Sequence, residues 1–225
     1  MAEIQVIASG AFKEAYLELT PQFERASGHT VTTTWNSSNQ IINRLKEGEI
    51  FDLAILSAAA TDELIKLGKI ARRYDLVRSG IGVAVRAGAP RPDISSGAAV
   101  KRAVLAAKGI VYSTGPSGVY LAELFKRMGI ADEINDKVKV SLGEPAGAIV
   151  ARGEAEIAFQ QISELLPVAG IDLIGPLPPD IQEITVFSAG LHAQAKQPEV
   201  AKALISFFNA PDAASVIRKK GMEPV

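Results

Sequence analysis

Cysteine is absent from the 225 residues, which removes a thiol nucleophile, thiolate metal ligands and any disulfide framework. Histidine is nearly as scarce: His29 and His192 stand far apart, with no carboxylates spaced to complete a transition-metal site. Neither sign of charge predominates. Lys and Arg total 24 against 25 Asp and Glu, a formal net charge of −1. No global basic field is available to gather phosphates, which argues against nucleic acid as a partner. No apolar run approaches the roughly 20 residues that span a bilayer, and the first residues alternate too early for a secretory hydrophobic region. The familiar phosphate loop, the dinucleotide GxGxxG, the zinc HExxH and the EF-hand pattern are all missing. Gly115-Pro116-Ser117-Gly118 approaches a nucleophile elbow, but Val119 stands where GxSxG needs its second glycine.

What is present is an alternation of strand and helix patterns. Hydrophobic residues make up 48% of the chain and charged residues 22%, the balance of a globular protein with one large core or two smaller ones. Ile4 to Ala8 reads as a buried strand, and Phe12, Tyr16, Leu19 and Phe23 recur at helical spacing. That helix stops at Ser27-Gly28, and Thr30 to Trp35 is the next strand. Ser37-Ser38-Asn39 supplies cap residues for a second helix, and Phe51 to Leu56 is an apolar run suited to a parallel strand. A helix over Thr61–Leu67 and a strand over Ile81–Val85 follow. Gly88 to Asp93 punctuates the chain, after which a second α/β series begins. In it, 100–108, 116–128 and 146–152 read as helices, and 109–112, 138–141, 157–159 and 172–174 as strands. Two tandem α/β units are the simplest account, with the last helices, 200–208 and 213–219, returning to the first.

Small, hydroxyl-bearing or glycine residues recur where a strand hands over to a helix. Ser9-Gly10-Ala11, Asn36-Ser37-Ser38-Asn39, Ser113 to Gly118, and Glu144-Pro145-Ala146-Gly147 are the four junctions. Loops at the carboxyl ends of the strands are where open α/β sheets bind ligands. Unpaired N–H groups and the positive end of the helix dipole suit such loops to an anion. Each junction taken singly is better read as an ordinary N-cap; four together, two per unit, tilt the reading towards a site.

The stretches Ser9 to Lys13 with Thr20 to Phe23, Ser37-Ser38-Asn39, Glu47-Gly48, Phe51 to Ile55, Ser79 to Arg86, Pro116 to Tyr120, Phe207-Phe208 and Lys219 to Gly221 carry a resemblance. The sequence resembles the type II periplasmic substrate-binding proteins, in the branch of the molybdate-binding proteins of ABC transporters, over essentially its whole length. The resemblance implies an α/β, two-lobed type II periplasmic-binding-protein fold with a double crossover hinge and an interlobe ligand cleft. Lobe one is expected to hold residues 1–80 and 187–225, and lobe two residues 81–186. It further implies a periplasmic, monomeric receptor for a small anion, working with an ABC-transporter permease in the membrane and without a cofactor or metal.

Carried over residue by residue, the anion contacts of such proteins fall on Ser37 or Ser38, on Ser117 with Gly118, and on Pro145 with Ala146. Two positions depart from the family pattern. The first-loop serine falls at Ala11, with Ser9 two residues earlier and Gly10 between, and the tyrosine position falls at Gln160. Pro145 has no N–H to give. A bare tetrahedral dianion would lack donors at such a site, so a small organic polycarboxylate is the expected ligand in place of molybdate. Arg78 could pair with a carboxylate, Gln160 and Gln161 could donate and accept, and Trp35 could wall the site or simply pack in the core. The alternative is an enzyme on the same scaffold, since the resemblance implies a branch that includes an isomerase acting on aconitate. Its proton shift needs a general base, for which Glu144 is the first candidate, ahead of Glu14 and His192.

Overall fold

The structure, a computed structural model, describes residues 1–225. It separates into two compact units, residues 1–79 with 185–225 and residues 80–184, so the chain passes from one to the other twice.

The first unit opens with β1 (Glu3–Ala8), a short 3₁₀ turn (Gly10–Phe12) and α1 (Lys13–Ser27). Gly28 ends α1 at φ 71°, a left-handed conformation that costs a side-chain-bearing residue energy. Then come β2 (Thr30–Trp35), α2 (Ser38–Lys46), β3 (Leu53–Ser57) and α3 (Ala58–Lys66). Strand β4 (Ile70–Arg86) begins in the first unit and ends in the second. The second unit continues with α4 (Gly97–Ala106), β5 (Ile110–Ser113), α5 (Pro116–Arg127), α6 (Ala131–Ile134) and β6 (Val138–Ser141). Next are α7 (Ala146–Ala151), β7 (Ile157–Gln161), α8 (Ile162–Leu165) and β8 (Ile171–Pro176). Strand β9 (Ile184–His192) leads back to the first unit, which α9 (Pro198–Phe208), α10 (Pro211–Lys219) and the two-residue β10 (Glu223–Pro224) complete.

Both units are built on the same plan. In the first, β1 lies between two parallel neighbours, β2 (Glu3 opposite Thr30) and β3 (Val6 opposite Leu53), and β9 joins β3 antiparallel. In the second, β5 lies between β6 (Ile110 opposite Val138) and β7 (Ile110 opposite Ile157), both parallel. The last residues of β4 run antiparallel to β7 on one side and to β8 on the other. In each, the first strand of a βαβαβ series sits at the centre. The change in strand order next to that strand opens a crevice at its carboxyl end.

Each sheet is covered on both faces, which is why its parallel strands read as apolar runs. One face of the first sheet packs Ile4, Val6, Leu53 and Ile55 against Phe12, Tyr16 and Leu19 of the first helical segment and Leu204, Phe208 and Ile217 of α9 and α10. Its other face packs Ile7, Ala54 and Leu56 against Ile41, Leu45 and Leu64. Trp35 belongs to the first of these faces, edge-on to Tyr16 at 5.3 Å between ring centroids, and Tyr16 in turn lies 5.4 Å from Phe208. In the second unit, Val83, Ile110 and Phe159 meet Val100, Leu121 and Phe125 on one face, and Ala84, Val111 and Ala158 meet Ile149, Val150 and Leu165 on the other.

Strand β4 is much longer than the sequence pattern indicates. The strand expected over Ile81–Val85 extends back to Ile70, through Arg72-Arg73-Tyr74-Asp75, where apolar alternation fails. Ion pairs sustain it there: Arg73 binds Asp75 at 2.9 Å and Asp62 of α3 at 2.5 Å. Strand β9, which the sequence pattern did not mark, ends at His192.

Candidate functional site

In the second unit the sequence around β5 and α5 is shaped by one close approach. A Cβ on Gly118 would sit 1.5 Å from the carbonyl oxygen of Ser113, so the first turn of α5 can fold onto the end of β5 only with glycine there. Pro116 occupies the first helical position, where its missing N–H costs nothing. Ser117 follows, 1% exposed, and its buried hydroxyl has no hydrogen-bond partner. A buried hydroxyl left unpaired costs about 1–3 kcal/mol. It stands at the start of a 12-residue helix, among amide N–H groups that have no intrahelical acceptor.

The neighbouring strand β7 runs Ile157-Ala158-Phe159 through the core and then places two amides, Gln160 and Gln161, at its carboxyl end, 3% and 1% exposed. The Ala146 N–H at the start of α7 donates to Gln160 Oε1 at 2.8 Å. That bond fixes which way the amide faces, with its oxygen toward α7; Glu164 of α8 follows four residues on. Burial pushes the Glu164 carboxyl up to about 7, against the smaller lowering effect of the Gln160 hydrogen bond. Ser163 beside it is 2% exposed, and its hydroxyl is also unpartnered.

In the first unit the corresponding loops are more fully committed. The Ser9 hydroxyl donates to the Ile55 carbonyl at 3.2 Å and so ties β1 to β3, while Ala11 is buried in the core. Gly10 opens the 3₁₀ turn between them. Ser37 caps α2 in a reciprocal box: the Gln40 N–H donates to the Ser37 hydroxyl, and Gln40 Oε1 accepts from the Ser37 N–H at 3.1 Å. Ser38, one residue into the helix, is half-buried and makes no side-chain hydrogen bond within the protein. Of the two serines on which the second-loop contact could fall, Ser38 is the one with a free hydroxyl.

Residues 4–223 match the family model described as bacterial extracellular solute-binding protein. The chain belongs to that family. Among curated relatives, an aconitate isomerase of a Pseudomonas species is 37% identical over 99% of this chain and 88% of its own length. The molybdate-binding protein ModA of Azotobacter vinelandii is 24% identical over 98% of this chain and 89% of its own length. Among solved structures, the periplasmic molybdate-binding protein of Azotobacter vinelandii superposes with a TM-score of 0.81 at 18% identity, covering 97% of this chain and 98% of the other. The fold is therefore that of the two-lobed, ModA-like periplasmic binding proteins.

In this solute-binding protein several sequence candidates sit in settings that the pattern did not reveal. Glu144 is held by both guanidinium nitrogens of Arg152, at 2.8 and 3.1 Å, and that pairing lowers its pKa. A carboxylate so paired stays ionised and is a weak proton acceptor. Pro145 is the N-cap of α7 and, without an N–H, leaves Ala146 as the first donor of that turn; Gln160 already takes it. Arg78 is exposed on β4, opposite Glu223 of β10, with no ion-pair partner. His192 is 6% exposed; its Nδ1 accepts from the Gln194 N–H at 3.1 Å, and burial lowers its pKa. His29 accepts the Ala2 N–H and stacks on Phe23. Sequence reasoning missed Ser163 and Glu164. The available signal was polar residues running directly on from an apolar strand: Gln160, Gln161, Ser163 and Glu164 in five positions.

Proposed function

We propose that this protein binds a small organic polycarboxylate, with Ser117, Gly118 and the first-turn amides of α5 as its principal contacts in the second unit. Ser38, and the backbone of Ser9, Gly10 and Ala11, are the contacts offered by the first. Gln160 belongs to the same set, and Arg78, free of any ion pair, is the cation available to a carboxylate. The observation that carries this reading is the buried, unpartnered Ser117 hydroxyl at the start of α5.

The argument for a carboxylate over a tetrahedral oxyanion is one of donors. The Ala146 amide is spent on Gln160, and Pro145 has none. The Gln160 oxygen is taken by that amide, which leaves its NH₂ group to donate to a carboxylate oxygen. As a member of its family the protein would act in the periplasm as a receptor, delivering its anion to an ABC-transporter permease. A second reading, a cofactor-free isomerase acting on a polycarboxylate such as aconitate, is favoured by the 37% identity to an aconitate isomerase across the whole chain.

Thermal unfolding against molybdate, tungstate, sulfate, citrate, tricarballylate and the aconitate isomers tests the ligand class. A ligand at about 100 times its Kd adds about 2.7 kcal/mol of stability. A shift with the carboxylates alone is expected, and a shift with molybdate alone overturns the assignment. Ser117→Ala and Ser38→Ala should each weaken binding by about tenfold, the worth of one hydrogen bond to a charged group, while leaving the protein folded. Unchanged affinity in both would remove the site.

A further inference from the structure

We infer a second anion site in the first unit, in a pocket of about 210 Å³ built around His192 and Lys69, which takes an anionic oxygen of a carboxylate or of inorganic phosphate. It does not depend on which anion binds at Ser117. The pocket lies where α2 and α3 end, at Gly48 and Gly68, and where the turn His192-Ala193-Gln194 leaves β9. The Ser9 N–H reaches the Ile55 carbonyl toward the carboxyl end of β3, whereas the His192 N–H reaches the Asp52 carbonyl just before that strand begins. The pocket and the serine loops are thus at opposite ends of the same strand.

His192 supplies the observation that points to a ligand. It is 6% exposed, and its Nδ1 accepts the Gln194 N–H at 3.1 Å. A neutral imidazole that accepts at Nδ1 carries its hydrogen on Nε2. That Nε2 is buried and has no partner within the protein. Buried donors without a partner are rare, because their lost hydration is not made good. Lys69, also in the wall, brings a charge. It is half-buried and enters no ion pair: on the helices beside it, Lys46 is matched with Glu63, Arg44 with Glu49 and Asp62 with Arg73. Its ammonium is close enough to add to the effect of burial in lowering the His192 pKa.

The sign of the ligand follows from what the pocket has to offer. Both helix ends are closed on themselves. The N–H groups of Glu47, Gly48 and Glu49 return to carbonyls of α2, and those of Leu67, Gly68 and Lys69 to carbonyls of α3. The Lys69 carbonyl accepts the Ala193 N–H at 2.9 Å. The Asp52 carboxylate, whose charge reaches His192, is spent on the N–H groups of Gln5 and Gln197. No carboxylate lines the pocket, and the exposed Glu47 and Lys66 at the helix ends are opposite in charge. A cation would find no charged acceptor here. An anionic oxygen meets an ammonium and an imidazole N–H, and hydrogen bonds to charged groups are the stronger ones.

The test is NMR of the full chain with nitrogen-labelled histidine, titrated with acetate, with inorganic phosphate and, at matched ionic strength, with chloride. Acetate or phosphate is expected to shift the His192 Nε2 resonance saturably, and chloride is not. Acetate alone assigns the site to carboxylates, and phosphate alone to phosphate. Lys69→Gln changes a half-buried side chain that holds no other element, so it should fold normally and weaken the binding by at least about tenfold. With Lys69 and Asp52 as the charged groups that act on it, protonating His192 adds a second positive charge, so affinity should rise as pH falls through its pKa. Ser117→Ala should leave the titration unchanged. A saturable shift with neither anion, an equal shift with chloride, or undiminished binding in Lys69→Gln overturns the site. Loss of the shift in Ser117→Ala would place the anion at α5 and overturn it too, leaving the reading of the α5 site intact.

Discussion

Replacing Glu164 by glutamine should change how stability depends on pH, and the size of the change can be worked from the structure. The carboxyl has a pKa of about 7 in the folded protein and an ordinary value of 4.5 when unfolded. Below pH 4.5 both states hold the proton and its contribution to stability is fully present. As pH rises through that interval the unfolded chain releases the proton while the folded one keeps it, so stability falls until both are ionised above about pH 7. At about 1.4 kcal/mol per pH unit the full loss is about 3 kcal/mol. The partly exposed edge of the side chain reduces it toward about 1.5.

Glutamine cannot ionise, so Glu164→Gln should match the wild type near pH 4.5, allowing for a constant offset, and gain on it by about 1.5–3 kcal/mol by pH 8. Urea unfolding of both proteins at half-unit steps from pH 4.5 to 8.5 measures this directly. His192 titrates in the same range with the opposite sign: its lowered pKa contributes stability above the unfolded value of 6.5 that is lost as pH falls. It is present in both proteins and cancels in their difference. Parallel stability curves for wild type and variant would refute the claim that Glu164 is held protonated by burial.

Two further predictions concern the framework. Gly118→Ala places a Cβ 1.5 Å from the Ser113 carbonyl oxygen, a backbone atom that cannot turn aside, so the first turn of α5 must move. It should cost about 3 kcal/mol or more by urea unfolding and abolish ligand binding. Asp52, 3% exposed, accepts the N–H groups of Gln5 and Gln197, each at 2.8 Å, and so joins β1 to the start of α9. Asp52→Ala strands both donors and should lower stability by about 3 kcal/mol, with the affinity of the surviving folded protein for carboxylates unchanged.

The alternation of strand and helix was legible because each parallel strand of this fold is covered on both faces. Val138–Ser141 and Thr30–Trp35 stand where the pattern put them, and the helices deviate by only a few residues. What stayed hidden was structure sustained by charge. The first half of β4 is a strand because Arg73 is clamped by Asp62 and Asp75, and no hydrophobic period announces that. The same limit applies to the site. The spacing identified serines at helix starts, but it could not separate Ser37, consumed by Gln40 in a cap, from Ser38, which is free. Nor could it show that Glu144 is matched by an arginine eight residues later while Glu164 is matched by none.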